Sequence, residues 1–166
     1  FNMYKKKQFL KLGKKYSSYQ DEGTVGMMME ICHKKLEDNI HLKKLKKNCK
    51  VLEIGAGSSP HLKYVKHKYE RYIFLENSKF AINFLKKKFC NDKKLKFKSY
   101  DGKKIPYNKN YFDRIIISHV LEHVPDPEIF LAEMMIKLKK MEFYLSLYQV
   151  IQDFCGVLVD FFKVIY

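Results

Sequence analysis

Arginine is almost missing from this chain. Of 33 basic residues only Arg71 and Arg114 are arginines, and the rest are lysines. The formal net charge is +15 over 166 residues, a balance that raises the question of a nucleic-acid partner. Forked recognition of phosphate draws on the guanidinium group, and here the lysines run through every segment instead of gathering in one block. The charge therefore reads as a solvated lysine-rich surface, with nucleic acid disfavoured as a partner. Cys32, Cys49, Cys90 and Cys155 stand far apart with no C-x-x-C. Zinc-ligand spacing is absent, no metal site is expected, and a reduced, cytoplasmic chain fits best. No run of about 20 apolar residues exists, which excludes an ordinary membrane span. The Lys-rich start has no apolar core of a signal peptide. It opens on Phe1, as a chain with a missing or processed start would.

What is present fits a folded domain. The length suits one domain with a sizeable core, and 46% of the residues are hydrophobic, as in a soluble globular protein. The chain is organised around Val51-Leu52-Glu53-Ile54-Gly55-Ala56-Gly57-Ser58-Ser59-Pro60. Val51 to Ile54 read as a short buried strand. Two glycines then turn the chain, since glycine tolerates positive φ and lets a ligand approach the backbone. Ser59 suits a helix N-cap and Pro60 the first helical position. The free N–H groups of such a helix start favour an anionic group. Strand, Gly-x-Gly and helix together predict a site for a nucleotide-like cofactor.

A second apolar strand, Tyr72 to Glu76, ends in a carboxylate 21 positions after Gly55. An acid near that spacing can bond ribose hydroxyls. The dinucleotide fingerprint needs a third glycine where Pro60 stands, so a nicotinamide or flavin enzyme is disfavoured. Lys96 to Ser99, Tyr100 and Asp101-Gly102 read as a third strand ending in Asp-Gly. Ile105-Pro106-Tyr107 follows, then Phe112-Asp113 leading into Arg114 to Ser118, His119-Val120-Leu121-Glu122-His123 and Val124-Pro125-Asp126.

This order resembles the class I S-adenosylmethionine (SAM)-dependent methyltransferases, in particular the ubiquinone-biosynthesis-type branch. The resemblance covers roughly residues 50 to 140. It implies an α/β fold, a Rossmann-like open and mainly parallel sheet with helices on both faces. It implies S-adenosyl-L-methionine as cofactor and transfer of its methyl group to an acceptor, taken here as a small molecule. The site residues follow from the same resemblance. Glu53 would hold the methionine amino group, directly or through water, or else only brace the turn. Gly55, Ala56 and Gly57 would let the backbone approach the methionine and ribose portions. Glu76 would take the ribose hydroxyls, with Asn77 beside it. Asp101 would accept from the adenine amino group next to Gly102. Ser118, His119 and Val120 would line the methionine end. His123 and Glu122 would be general bases if the acceptor needs one. His123 could equally brace the loop before Pro125. The base-methylating signature of Asp or Asn followed by Pro-Pro-Tyr or Pro-Pro-Phe is absent after the fourth strand. An RNA methyltransferase using the lysine-rich surface, or a truncated non-catalytic relative, are the rivals.

Three regions are expected: residues 1–48 as an N-terminal helical cap region, 49–148 as the Rossmann-like core, and 149–166 as an apolar tail. A helix is expected over 24–37. The resemblance implies that such a helix lies over the cofactor, with Tyr16, Tyr19 and Met28 toward the substrate; simple packing is the alternative. Strands are expected at 50–54, 71–76, 95–100, 112–118 and 142–147. Helices are expected over 60–68, over 79–89 with Ser78 as cap, and from Asp126-Pro127 to about Lys139. Gly55, Glu76, Asp101 and Ser118 all fall at strand carboxyl ends, where parallel sheets bind ligands. His33, His41, His61 and His67 read as ordinary surface or helix residues. The tail carries Val150, Ile151, Phe154, Val157, Leu158, Phe161, Phe162 and Ile165 at largely helical spacing, which predicts a helix. The antiparallel strand pair that closes the sheet in the resembled family is therefore expected to be missing, leaving an exposed edge.

Overall fold

A computed structural model describes residues 23–38, 48–57, 61–102, 104–118, 120–139, 145–148, 150–152 and 158–160. Its centre is a sheet of five parallel strands: β1 (Cys49–Ile54), β2 (Tyr69–Glu76), β3 (Leu95–Ser99), β4 (Arg114–Ser118) and β5 (Leu145–Tyr148). Their order across the sheet is β3-β2-β1-β4-β5. The chain builds outward from β1 to one edge, then crosses back and builds to the other. The reversal lies between β1 and β4, where an open α/β sheet forms its ligand crevice.

Both faces of the sheet are covered, so its strands are nearly continuous apolar runs. On one face Leu52, Ile54, Ile73, Leu75, Ile115 and Ile117 pack with Phe130 and Met134 of helix α3 (Pro127–Lys137). On the other, Val51, Tyr72, Phe74 and Ile116 pack with Cys32 and Leu36 of helix α1 (Gly23–Asp38) and with Leu85 of helix α2 (Lys79–Lys88). Strand alternation sends neighbouring residues of one strand to opposite faces. α1 is thus a packing helix over residues 32 to 36; Tyr16, Tyr19 and the Met28 side chain lie outside the described residues.

Local signals set the helix starts as expected. The Ser78 hydroxyl accepts from the Ala81 N–H at 3.3 Å, and the Asp126 carboxylate accepts from the Ile129 N–H at 3.0 Å with Pro127 in the first turn. The helix expected over 60–68 is different: from His61 it is a single 3₁₀ turn, His61–Tyr64. Its first N–H is capped by a carboxylate, and the N–H that would continue the helix goes to another. The His61 N–H donates to Glu53 at 2.7 Å and the Lys66 N–H to Glu37 at 2.8 Å. Ser58, Ser59 and Pro60 lie outside the described residues.

The tail also departs from its helical reading. It holds two short antiparallel strands, β6 (Val150–Gln152) and β7 (Leu158–Asp160), which form their own ladder apart from the five-stranded sheet. Val150, Ile151 and Val159 are β-branched and favour extended backbone over helix. Among the described residues, no antiparallel strand is added to the five-stranded sheet.

The I-P and F-D elements of the sequence pattern have structural roles. Ile105 and Phe112 are core residues. Buried Asp113 accepts from the Lys50 N–H at 2.8 Å and from Lys139 Nζ at 2.6 Å, tying the start of β4 to β1 and to the end of α3. This lies at the amino end of the strands, away from the crevice. Among the described residues no helix is long and apolar enough to cross a membrane.

Candidate functional site

The carboxyl ends of β1, β2, β3 and β4 bring the candidate residues to one rim. Gly55 continues β1 by donating its N–H to the Leu75 carbonyl at 2.9 Å. Its φ is +69°, and a Cβ there would lie 2.4 Å from Val120 Cγ2. Two pressures thus select glycine: left-handed backbone and close contact with the segment after β4. Gly55 and Val120, distant in sequence, meet at the switch point between β1 and β4. Gly57 has φ +56° and, among the described residues, nothing within 4 Å of where a Cβ would stand. Gly102, after β3, has φ +82° and equally open space. At both, the backbone is bare toward whatever fills the crevice.

Glu76 ends β2 as a buried carboxylate. One oxygen accepts the Gly57 N–H at 3.0 Å and the other the Ser78 N–H at 3.1 Å. The acid at the strand end therefore sits directly beside the glycine turn, as the spacing implies. Asn77 next to it is exposed, as is Asp101, and Tyr100 donates its N–H to the Glu76 carbonyl at 3.0 Å. The third strand end is thereby held against the second. Two buried oxygens, Tyr100 Oη and Ser118 Oγ, have no hydrogen-bond partner among the described residues. A buried hydroxyl left unpaired costs on the order of 1–3 kcal/mol, so each is a point where a ligand group or water gains a partner.

Glu53 is 2% exposed. It accepts from the Tyr72 hydroxyl and from the His61 N–H, one on each oxygen. This is the bracing arrangement: the acid ties β1 to β2 and to the exit of the glycine turn. Burial pushes its carboxyl up to about 7, against the pull of those hydrogen bonds. Ala56 packs on the face covered by α1. His123 is an exposed residue of the 3₁₀ turn Leu121–His123 that follows β4. His119 and the side chain of Glu122 lie outside the described residues.

His33 lies on helix α1, as a helix residue, and His67 is partly exposed, but His61 and His33 are buried in a polar cluster and not ordinary surface residues. His61 is fully buried and His33 is 6% exposed, while His41 lies outside the described residues. His61 Nε2 is 3.1 Å from Glu37 Oε2, and the Nδ1 atoms of His61 and His33 are 2.8 Å apart. Arg114 Nη2 lies 2.8 Å from the same Glu37 oxygen, and Nη1 lies 2.9 Å from His67 Nε2. Burial alone would raise the Glu37 carboxyl. The His61 hydrogen bond and the Arg114 charge outweigh it and hold the group at about 2. Burial lowers both His61 and His67, and the Arg114 charge adds to this. The signal for this cluster was faint: Glu37 on the apolar side of α1, four residues after His33, and Arg114 opening a buried strand. Among the described residues no group of His, Cys, Asp and Glu is arranged to hold a metal ion.

The chain belongs to the methyltransferase domain family, whose model matches residues 52–142, more than half of it. S-adenosylmethionine is the methyl donor of that family, in agreement with the resemblance carried by the glycine turn and strand-end acids. No curated protein matches the chain by sequence. Solved structures share the fold. One is a methyltransferase of Haloferax volcanii in complex with the Trm112 activator, at 19% identity and TM-score 0.61, with 70% of this chain and 52% of that one covered. A second is the trans-methyltransferase CalH in complex with SAH, at 22% and 0.52, with 58% and 30% covered. A third is a SAM-dependent methyltransferase of Aquifex aeolicus, at 24% and 0.52, with 68% of each covered. The chain thus spans about half the Haloferax protein and under a third of CalH.

The rim suits this cofactor on three counts. A carboxylate stands at the end of β2, and among the described residues nothing crowds Gly57 or Gly102 and nothing pairs the buried Ser118 hydroxyl at the end of β4.

Proposed function

We propose that the chain is a SAM-dependent methyltransferase that transfers a methyl group to a small-molecule acceptor. The observation that carries this reading is the contact of Glu76 with Gly57 at the carboxyl ends of β2 and β1. It sets an acid able to take ribose hydroxyls beside a turn whose bare backbone admits the rest of a nucleoside. The bound cofactor supplies a sulfonium-activated methyl group, so the protein needs to bind, orient and, for some acceptors, deprotonate. Glu76 takes the ribose with Asn77 beside it. Asp101 and Gly102 receive the adenine. Gly55, Ala56 and Gly57 pass the backbone along the methionine and ribose portions, and Ser118, His119 and Val120 line the methionine end. Glu53 acts through the turn that it braces. His123, exposed after β4, and Glu122, its neighbour in sequence, are the proposed general bases for an acceptor that must lose a proton. A small acceptor is supported by the scarcity of arginine and by Ser118-His119-Val120-Leu121 in place of the base-methylating signature. A cytoplasmic setting is supported by cysteines without disulfide spacing.

Calorimetric titration with S-adenosylhomocysteine, with NADH in parallel, tests this. Binding of the first ligand alone is expected, weakened about tenfold or more in Glu76→Ala. Failure of a folded sample to bind either ligand overturns the reading. A second reading is then favoured, that of a methyltransferase-like subunit needing another chain. It is supported by β5, which has no further strand paired beyond it among the described residues, and by the activator bound to the Haloferax relative.

A further inference from the structure

The turn between β1 and His61 is pinned at both ends, by different parts of the molecule. At its entrance the Gly55 and Gly57 N–H groups are held by β2, through the Leu75 carbonyl and the Glu76 carboxylate. At its exit stands His61. Its N–H donates to Glu53 and its imidazole enters the polar cluster under α1. The ring is fully buried and lies against the rings of His33 and Tyr64, at centroid distances of 5.0 and 5.8 Å.

The partners dictate the tautomer. Glu37 faces the Arg114 guanidinium and is held ionised, so its oxygen only accepts. The proton of His61 therefore sits on Nε2 and is donated to Glu37. Nδ1 is then the acceptor for His33 Nδ1–H, 2.8 Å away. Glu37 is itself fixed by the Arg114 ion pair and by the Lys66 N–H. The exit of the glycine turn is thus fastened to α1 by two directed hydrogen bonds of the His61 ring, Nε2–H to Glu37 and His33 Nδ1–H to Nδ1, of which the first is to an ionised partner.

We propose that His61 is a positioning residue of the cofactor turn: its Nε2–H bond to Glu37 anchors the turn's exit to α1 and so helps set the path of the Gly55 to Gly57 backbone along the ligand crevice. The part concerning the ligand rests on the methyltransferase reading above. A fixed backbone binds better because less ordering remains at the moment of binding. Packing alone would make the ring's volume matter and its Nε2–H irrelevant.

The test uses the full chain and two isosteres. His61→Gln places an amide N–H near the position of Nε2; His61→Asn reaches only the Nδ1 position. Amide exchange at Gly55 and Gly57, measured against amides in β3 and α2, is expected to quicken about tenfold in H61N and to stay within about threefold of the parent in H61Q. S-adenosylhomocysteine affinity is expected to fall in the same order. Equal behaviour of the two variants, or unchanged exchange in H61N, overturns the proposal while leaving the cofactor reading intact. No ligand binding by the parent chain, together with the expected exchange pattern, sinks the cofactor reading and leaves the anchor standing. Should H61N fail to fold, the nitrogen shifts of His61 in the unaltered chain decide: Nε2–H supports the anchor and Nδ1–H overturns it.

Discussion

Arg114 Nη2 lies 2.8 Å from Glu37 Oε2, and neither side chain has exposed surface. Such a pair offsets its own desolvation, but either partner left alone is a buried charge. Glu37→Ala is expected to cost about 3–5 kcal/mol, read by urea denaturation. Replacing both residues by Met should cost less than the sum of the two single changes, because the stranded charge is removed with its partner.

Glu53 gives a pH signature of its own. Its folded-state carboxyl is raised from 4.5 to about 7 by burial. The stabilisation from holding its proton is complete below about 4.5 and is lost as pH rises through about 7. It amounts to about 3 kcal/mol across that window. His61 and His67 are shifted downward, so they act in the opposite sense, and their contribution is lost as pH falls below 6.5. Comparing the parent with Glu53→Gln cancels the histidines. The parent's unfolding free energy, relative to the variant, should fall between pH 5 and pH 8. A constant difference would contradict the raised value.

Gly55 and Val120 should be coupled. Gly55→Ala adds a methyl group 2.4 Å from Val120 Cγ2 at φ +69°. The strain of positive φ alone is about 1–2 kcal/mol, and the clash adds to it. In Gly55→Ala with Val120→Ala the clash is relieved and the φ strain stays, so the double variant should be more stable than additivity predicts. Gly57→Ala, with no described residue within 4 Å of its Cβ, should cost only the φ strain. Thermal unfolding of the four variants checks both statements.

Asp126→Ala removes the cap of α3, whose carboxylate accepts the Ile129 N–H at 3.0 Å. About 1 kcal/mol of stability should be lost. Because this cap lies outside the set of cofactor residues, S-adenosylhomocysteine affinity should be unchanged. A matching loss of affinity would show that α3 shapes the crevice.

Much of this architecture is written locally. The strands at 51–54, 72–76 and 115–117 are apolar runs, and Ser78, Asp126 and Pro127 mark helix starts with their own side chains. Gly55, Glu76, Asp101 and Ser118 fall at strand ends for the same reason: polar or flexible residues stop an apolar run. Local pattern misled where backbone donors found remote acceptors. The segment after Pro60 has enough helical character to suggest a helix, yet the Lys66 N–H, which a continuing helix would direct to the Leu62 carbonyl, goes to Glu37, and only one 3₁₀ turn forms. The tail's apolar spacing could be read with a helical period, but its β-branched residues pair as β6 and β7.

The sequence by itself determined the class of fold, the positions of the strand ends and the family, because apolar periodicity, caps and glycine turns act over a few residues. Only the tertiary structure decided what each charged or titratable side chain touches. No spacing in the chain announces that Glu37, His61 and Arg114, separated by 24 and 53 positions, share one buried cluster. Nor does any announce that Glu53 is occupied by Tyr72 and His61 before a ligand arrives. Those relations depend on which helix covers which sheet face, and burial then turns each into a strong electrostatic constraint.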